Sequence, residues 1–279
     1  MLVTDASTMD RFKCEDIKVK ICAIGDNCID YYTQSGDYYL GGGPLNVAVY
    51  YRRLGGEASY IGAVGKDHFG DLMKEGITHK GVDISHLHIE EGTTALTKVE
   101  IVEGDRVFGD YDEGVMTDFR LRPEDLEFIK QHQAVVSGIW GHNADFFPEL
   151  KAAGLITVYD YSTHIQDSAD RAYLADMDYI FYSADKLSLE ALKEEMLALR
   201  AETPATIIAT RGDQGSLCLD GQEFYSFGII PAKVVDTIGA GDSFIAGFLY
   251  SRFRGQDIEA CLKKGAETSA ETISYLGAW

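Results

Sequence analysis

No apolar run in this 279-residue chain approaches the roughly 18 residues that a membrane-spanning helix needs. The opening segment, Met1 to Asp16, is too polar and too acidic for the apolar core of a secretory signal, so the sequence reads as a cytoplasmic protein with no membrane role. Cysteine is scarce: Cys14, Cys22, Cys28, Cys218 and Cys261 make an odd count of five with no CxxC pair. That excludes a disulfide framework and a thiolate metal centre, leaving buried or free thiols. Proline is equally scarce, with five residues and no proline-rich linker to divide the chain. Basic residues are in deficit, 25 against 45 acidic, for a formal net charge of -20. A surface so negative repels a phosphate backbone, so nucleic acid is excluded as a partner. Also missing are GxxxxGK[ST], a GxGxxG between strand and helix, HExxH and GxSxG, and with them the commonest phosphate-loop, dinucleotide, zinc-protease and esterase chemistries. Arg211-Gly212-Asp213 follows a strand and reads as a turn, not an adhesion signal.

What is present is alternation. Residues 1–17 read as an unstructured extension, with a start at Met9 also credible, because hydrophobic patterning begins with the strand Val19 to Gly25. Strand-like and helix-period segments then follow in turn: Ala58 to Val64 and Phe69 to Lys80; Ala134 to Trp140 and Ala144 to Ala153; Leu155 to Asp160 and Ala169 to Asp176. Tyr179 to Ser183, a helix over Leu189 to Ala201 and Thr206 to Thr210 continue the series. Repeated βαβ units predict an α/β domain over 18–279 with a doubly wound, mostly parallel sheet. Two segments break the pattern. A hairpin around Glu103-Gly104-Asp105 within 93–111, together with the tyrosine-rich stretch 30–40, predicts a small inserted β element of the kind that lids a cleft. An ordinary edge hairpin is the plainer alternative.

Two glycine-rich helix starts carry chemistry. In Asp236-Thr237-Ile238-Gly239-Ala240-Gly241-Asp242, followed by the apolar-periodic Ile245 to Phe253, the small residues let backbone approach a ligand closely. The helix behind them points unsatisfied N–H groups back at the loop, so Gly239, Ala240 and Gly241 form a candidate anion hole. Asp242, in the first turn, would ordinarily be a dipole-favourable acid. Beside a loop shaped for an anion, a carboxylate repels phosphate, and deprotonating a hydroxyl that attacks a phosphoryl group is a role that explains its presence. Gly41-Gly42-Gly43-Pro44-Leu45-Asn46 opens a second helix, over Leu45 to Leu54, where Asn46 offers both donor and acceptor to a polyol.

These two segments resemble the signatures of the ribokinase-type (phosphofructokinase B) carbohydrate kinases, and the resemblance extends from about Val19 onward. It implies an ATP- and Mg²⁺-dependent transfer with Asp242 as base and the amides of Gly239, Ala240 and Gly241 around the transferred group. It further implies that Asp30 holds sugar hydroxyls over a floor of Gly41, Gly42 and Asn46, with Asp26 a second candidate whose plainer reading is a turn residue. Thr210, Gly212 and Gly215 would lie beside the nucleotide. Some family members also hold K⁺ through backbone oxygens near Asp236 and Ile238. The segments Gly25 to Asp30, Asp105 to Met116 and Thr272 to Trp279 resemble members that act on fructosamines such as fructoselysine.

The chain also departs from the family pattern. The Asn-x-x-Glu that organises magnesium is replaced by Ser183-Ala184-Asp185-Lys186, leaving Asp185 as the candidate metal residue, through water. Where many relatives place a sugar-binding acid, this chain has Trp140-Gly141-His142. An indole suits an apolar stem such as a lysine side chain, although an ordinary core tryptophan is the alternative. Arg106 would pair with a substrate carboxylate, and Glu113 or Asp110 with an ammonium. His164 follows a strand end facing the same cleft and reads more simply as structural. The resemblance thus implies a fructosamine 6-kinase that dimerises through its lid. Fructose, ribose, 2-keto-3-deoxygluconate or a nucleoside remain alternative acceptors, and a silent sugar- or nucleotide-binding regulator is a rival of another class.

Overall fold

Runs such as Ile21-Cys22-Ala23-Ile24, which turn nothing polar toward water, suit a strand buried on both faces of a parallel sheet. The computed structural model describes residues 19–102 and 105–279, and the side chains of 101–108 lie outside that description. The expected extension 1–17 and the side chain of Arg106 therefore fall outside the described residues.

Strand β1 (Lys20–Ile24) leads into β2 (Cys28–Tyr32), β3 (Tyr38–Gly41) and helix α1 (Gly43–Arg53). Next come β4 (Glu57–Ile61), β5 (Ala63–Gly65), α2 (His68–His79), β6 (His88–Glu90) and the hairpin of β7 (Leu96–Val102) and β8 (Asp105–Asp112). Helix α3 (Pro123–Ile129), β9 (Ala134–Gly138), α4 (Phe147–Ala152), β10 (Ile156–Asp160) and β11 (Tyr179–Ser183) alternate after that. They are followed by α5 (Leu189–Arg200), β12 (Thr206–Thr210), β13 (Ser216–Asp220), β14 (Glu223–Phe227), α6 (Ala240–Arg252) and α7 (Ile258–Thr272).

The main sheet has eight strands in the order β14-β13-β12-β11-β10-β9-β1-β4, parallel from β12 to β4 and antiparallel at β13 and β14. One face is covered by α1, α2, α6 and α7, through residues such as Leu45, Met73, Phe248 and Leu262. The other is covered by α3, α4 and α5, through Ile129, Leu150 and Met196. This is the ribokinase-like doubly wound α/β arrangement, and its ligands are expected outside the carboxyl ends of the parallel strands.

A separate four-stranded sheet, β3-β2-β7-β8, stands off that end and contains both segments that broke the alternation. Its base is tied down where Asp67, the N-cap of α2, accepts hydrogen bonds from the amide and hydroxyl of Thr94 at 2.8 and 2.7 Å.

Four expected elements differ, the first being Ala169–Asp176, which forms a 3₁₀ helix. Ala58 to Val64 is not one strand, because β4 ends as Ile61 gives its carbonyl to the Gly25 amide and β5 pairs instead with β6. Ala144 to Ala153 divides into a 3₁₀ turn and α4, where Pro148 is accommodated in the first turn of the new helix. Strand β9 stops at Gly138, and Trp140 lies in a 3₁₀ turn with 46% of its surface exposed, so it is not a core residue. Among the described residues no helix is long and apolar enough to cross a membrane.

Candidate active site

The helix starts fall into two kinds, with and without a side-chain cap. Helices α2, α5 and α7 are capped by the side chains of Asp67, Ser188 and Asp257, which satisfy first-turn amides. The N-caps of α1 and α6 are Gly42 and Gly239, and neither offers a side chain. Gly42, at φ 121°, passes so close to the β1–β2 connection that a β-carbon would stand 2.4 Å from the Asn27 α-carbon. Gly239, at φ 73°, abuts Ala278. At Gly42 a side chain is excluded sterically and at Gly239 the positive φ disfavours one, and the two helix starts meet where Asn46 of α1 reaches Asp242 of α6.

The first turn of α6 borders two spaces at once. Thr237, Ala240 and Gly241 line a cleft of about 470 Å³, together with Thr210, Gly212 and Gly215 from the end of β12 and the turn after it. Its walls include Ile229, Ile230, Val234 and Ile273, apolar residues from segments that the sequence reading did not connect. An apolar slot ending in backbone amides has the polarity profile of a nucleoside phosphate. The Ala240 amide makes a long bond, 3.3 Å, to the Thr237 carbonyl.

Asp242, one residue further on, lines a narrow crevice with Asp26, Gly43, Gly138, Trp140 and Asp160. Its space of about 20 Å³ suits one water-sized group, such as a hydroxyl. A roomier cleft, about 790 Å³, lies at the base of the smaller sheet between His88, Glu90 and Arg122. Unlike the spaces at α6, it is not bordered by a glycine-rich helix start.

The crevice is electrostatically loaded. Asp242 opens onto it yet is surrounded by protein, and that burial pushes its carboxyl up to about 8, with Asp160, Asp26 and Asp30 adding like charge. An opposing pull comes from Asn46 Nδ2, which donates to Asp242 Oδ2 at 2.7 Å. Burial likewise raises Asp26 and Asp160 to about 6. Asp26 Oδ2 accepts from the Gly43 amide at 3.0 Å, capping α1 from another element, while its Oδ1 is buried with no hydrogen-bond partner. Asp30, on β2, is buried beside Gly41 and accepts from the Cys28 thiol at 3.6 Å.

Asn46, expected to face a polyol, is engaged inside the protein: its Oδ1 accepts from the Trp279 indole at 2.7 Å while its Nδ2 serves Asp242. Trp140 stands at the crevice with its ring edge-on to His164, centroids 5.6 Å apart. Glu113 pairs with His142 at 3.3 Å, and the exposed Asp110 with Lys98 at 3.2 Å. Sequence reasoning missed Asp160 and Trp279. Asp160 had a usable signal, an acid at the carboxyl end of a parallel strand.

Metal-binding capacity is sparse. Among the described residues no group of three or more His, Cys, Asp or Glu side chains is placed to hold a metal ion. Asp185 is exposed at the rim, near Gly212. The Asp236 carboxylate is turned inward, accepting from the amides of Ile238 at 2.7 Å and Gly277 at 2.8 Å. The described residues therefore offer no ready-made cage for a metal ion.

These features define a sugar-phosphorylating α/β enzyme, and comparison agrees. Residues 11–279 match the description "pfkB family carbohydrate kinase". The chain belongs to that family. It is 43% identical over 259 residues to fructoselysine 6-kinase of Shigella flexneri, covering 93% of this chain and 99% of the relative. To a fructosamine kinase of Bacillus subtilis it is 34% identical over 266 residues, covering 94% and 93%. The structure of Arabidopsis thaliana ribokinase complexed with ribose and ATP superposes with a TM-score of 0.84 at 19% identity, over 94% of this chain and 95% of that one.

Proposed function

We propose that the protein transfers the γ-phosphoryl group of ATP to the 6-hydroxyl of a fructosamine, fructoselysine being the favoured acceptor. The observation that carries this is the first turn of α6: Ala240 and Gly241 face the nucleoside-shaped cleft, and Asp242 faces the acidic crevice. An acceptor hydroxyl at Asp242 is thereby set against a phosphoryl group at the amides, the arrangement that in-line transfer requires. The bond from the acceptor oxygen to phosphorus forms, the bond to the β-phosphate oxygen breaks, and the hydroxyl proton passes to Asp242. A carboxyl raised to about 8 is well matched to that proton at neutral pH. The Gly239, Ala240 and Gly241 amides and the dipole of α6 hold the developing charge. Mg²⁺, when bound with ATP, would neutralise phosphate charge, and Asp185 would be the residue to hold it, through water.

Asp30, Asp26, Gly41 and Gly42 would hold the sugar, and Thr210, Gly212 and Gly215 the nucleotide. Trp140, exposed and propped by His164, would carry the alkyl stem of the lysine adduct. Arg106 and Glu113 would meet its charged end. The relatives named for fructoselysine and fructosamine support this acceptor over plain sugars. A silent binding role does not explain why an acid with so costly an environment stands beside an anion loop. Two copies would pair through the smaller sheet, whose edge strands β3 and β8 carry the exposed Tyr38 and Tyr111. Sedimentation at micromolar concentration checks this, and a monomer removes it.

The test is ADP release with Mg²⁺, with and without K⁺, on fructoselysine, fructose, ribose and 2-keto-3-deoxygluconate. Turnover on fructoselysine far above the others is expected. Preference for another sugar overturns the acceptor, and binding without turnover overturns the reaction. Trp140→Ala should raise KM for fructoselysine about fivefold while leaving fructose nearly unchanged, since an aromatic contact contributes about 1 kcal/mol.

A further inference from the structure

The segment after α7 returns across the site. The Gly277 amide donates to Asp236, the Tyr50 hydroxyl donates to the Ala278 carbonyl, and Ala278 abuts Gly239. Trp279 then lies beside Gly76 of α2 with the Lys80 ammonium 5.3 Å from its ring centre. Its Nε1 donates to Asn46 Oδ1 at 2.7 Å, and Asn46 Nδ2 donates to Asp242 Oδ2 at 2.7 Å. An indole has an N–H donor and no acceptor, so the Asn46 amide must offer its oxygen to Trp279 and its NH₂ to Asp242. Asn46 is buried, and no bulk water replaces either partner.

We infer that Trp279 is a positioning residue for the reaction proposed above, its indole N–H locking the Asn46 amide in the orientation that gives Asp242 a hydrogen-bond donor. The chain of three groups makes this consequential. An NH₂ group facing the carboxyl favours the ionised base, whereas a flipped amide presents oxygen and favours the protonated acid. The charged groups facing Asp242 are Asp26 from the β1–β2 connection, Asp30 from β2 and Asp160 from β10, all of the same sign. Lys80 faces Trp279 from α2's C-terminal end. The Asn46 donor opposes those three carboxylates, and Trp279 keeps it aimed. The role as an aid to catalysis rests on the kinase reading, while the orientation of the amide does not.

Trp279→Phe keeps a packed ring and removes the donor. If that variant does not fold, site-specific replacement with 3-benzothienylalanine deletes the N–H at nearly constant shape. The first readout needs no activity: the ¹³C titration of the Asp242 carboxyl in the unliganded protein, assigned with Asp242→Asn. Its midpoint should move to higher pH. The second is the pH dependence of kcat/KM, whose acid limb should move the same way. A one-unit move lowers the value at pH 7 roughly tenfold and lets it approach the wild type at high pH. The third is coupling: in an Asn46→Ala background, Trp279→Phe should change neither readout further. An unmoved Asp242 midpoint, a uniform loss at every pH or additive effects with Asn46→Ala would overturn the inference. A moved midpoint in a protein that turns over no sugar would overturn the kinase reading instead and leave the lock standing.

Discussion

Asp125 and Asp242 are both carboxylates withdrawn from bulk water, and their surroundings use them in opposite ways. At Asp125, burial's upward push is outweighed by the Arg122 amide at 2.8 Å and the rings of His86 and His88 at 2.9 and 2.8 Å, so the carboxyl lies below its ordinary value. This acid joins α3 to the segment carrying β6. At Asp242, burial dominates, one amide opposes it, and three neighbouring carboxylates reinforce it. A buried acid surrounded by donors is structural cement, whereas one surrounded by acids is held away from its preferred ionisation, the perturbation that marks a candidate functional group. Asp67, with Thr94 and Gly70 as donors, belongs with Asp125 and is likewise lowered despite its burial.

The sharpest way to break the comparison is to neutralise each acid. Asp242→Asn should lower kcat about 10²- to 10⁴-fold on the preferred acceptor with the fold retained, as far-ultraviolet circular dichroism would show. An active Asp242→Asn protein would mean that Asp242 is not the base. In the wild type, kcat/KM should rise with pH toward about 8, following the Asp242 carboxyl.

Asp125→Asn should leave kcat within about twofold yet cost about 2–3 kcal/mol in urea unfolding, because it loses charge-assisted bonds to three donors. The sign with pH follows. A carboxyl lowered in the fold stabilises above its ordinary pKa, and that stability is lost as pH falls through the folded value. The deficit of Asp125→Asn should therefore shrink under acid conditions, and a deficit constant from pH 7 to pH 3 would contradict the hydrogen-bond account.

How much of this was legible in sequence follows the same division between local and assembled features. The anion loop at 239–241, the helix start at 41–46 and the alternation of strands and helices were readable because each depends on neighbours a few residues apart. The smaller sheet was readable from the turn at 103–105 and the tyrosine-rich stretch, although its parallel pairing of β2 with β7 joins distant segments. The apolar slot was not readable: Ile229, Val234 and Ile273 are apolar residues from separated segments that become a wall only when α7 packs beside β14. Nor was the partnership of Asn46, whose two bonds reach 196 and 233 residues along the chain. Side-chain type suggested that Asn46 both donates and accepts, but the fold alone decides to whom.

The smallest effect concerns stability at the site. Asp26 and Asp160, raised to about 6, and Asp242, raised to about 8, retain protons that the unfolded chain has already released. The stability linked to them is complete below the ordinary carboxylate range, near pH 4, and is lost as pH rises through 6 and then 8. This is the reverse of Asp125. Asp242→Asn removes the largest of the three shifts while keeping an oxygen to accept from Asn46, so the variant should gain about 0.5–2 kcal/mol over the wild type at pH 8. At pH 5, where Asp242 is protonated in the fold, the gain should be much smaller. Urea unfolding at the two pH values reads the difference directly. A gain that is equal at both, or a loss at pH 8, would mean that the crevice carboxylates are relieved by partners in solution and that their mutual repulsion is not what sets Asp242 apart.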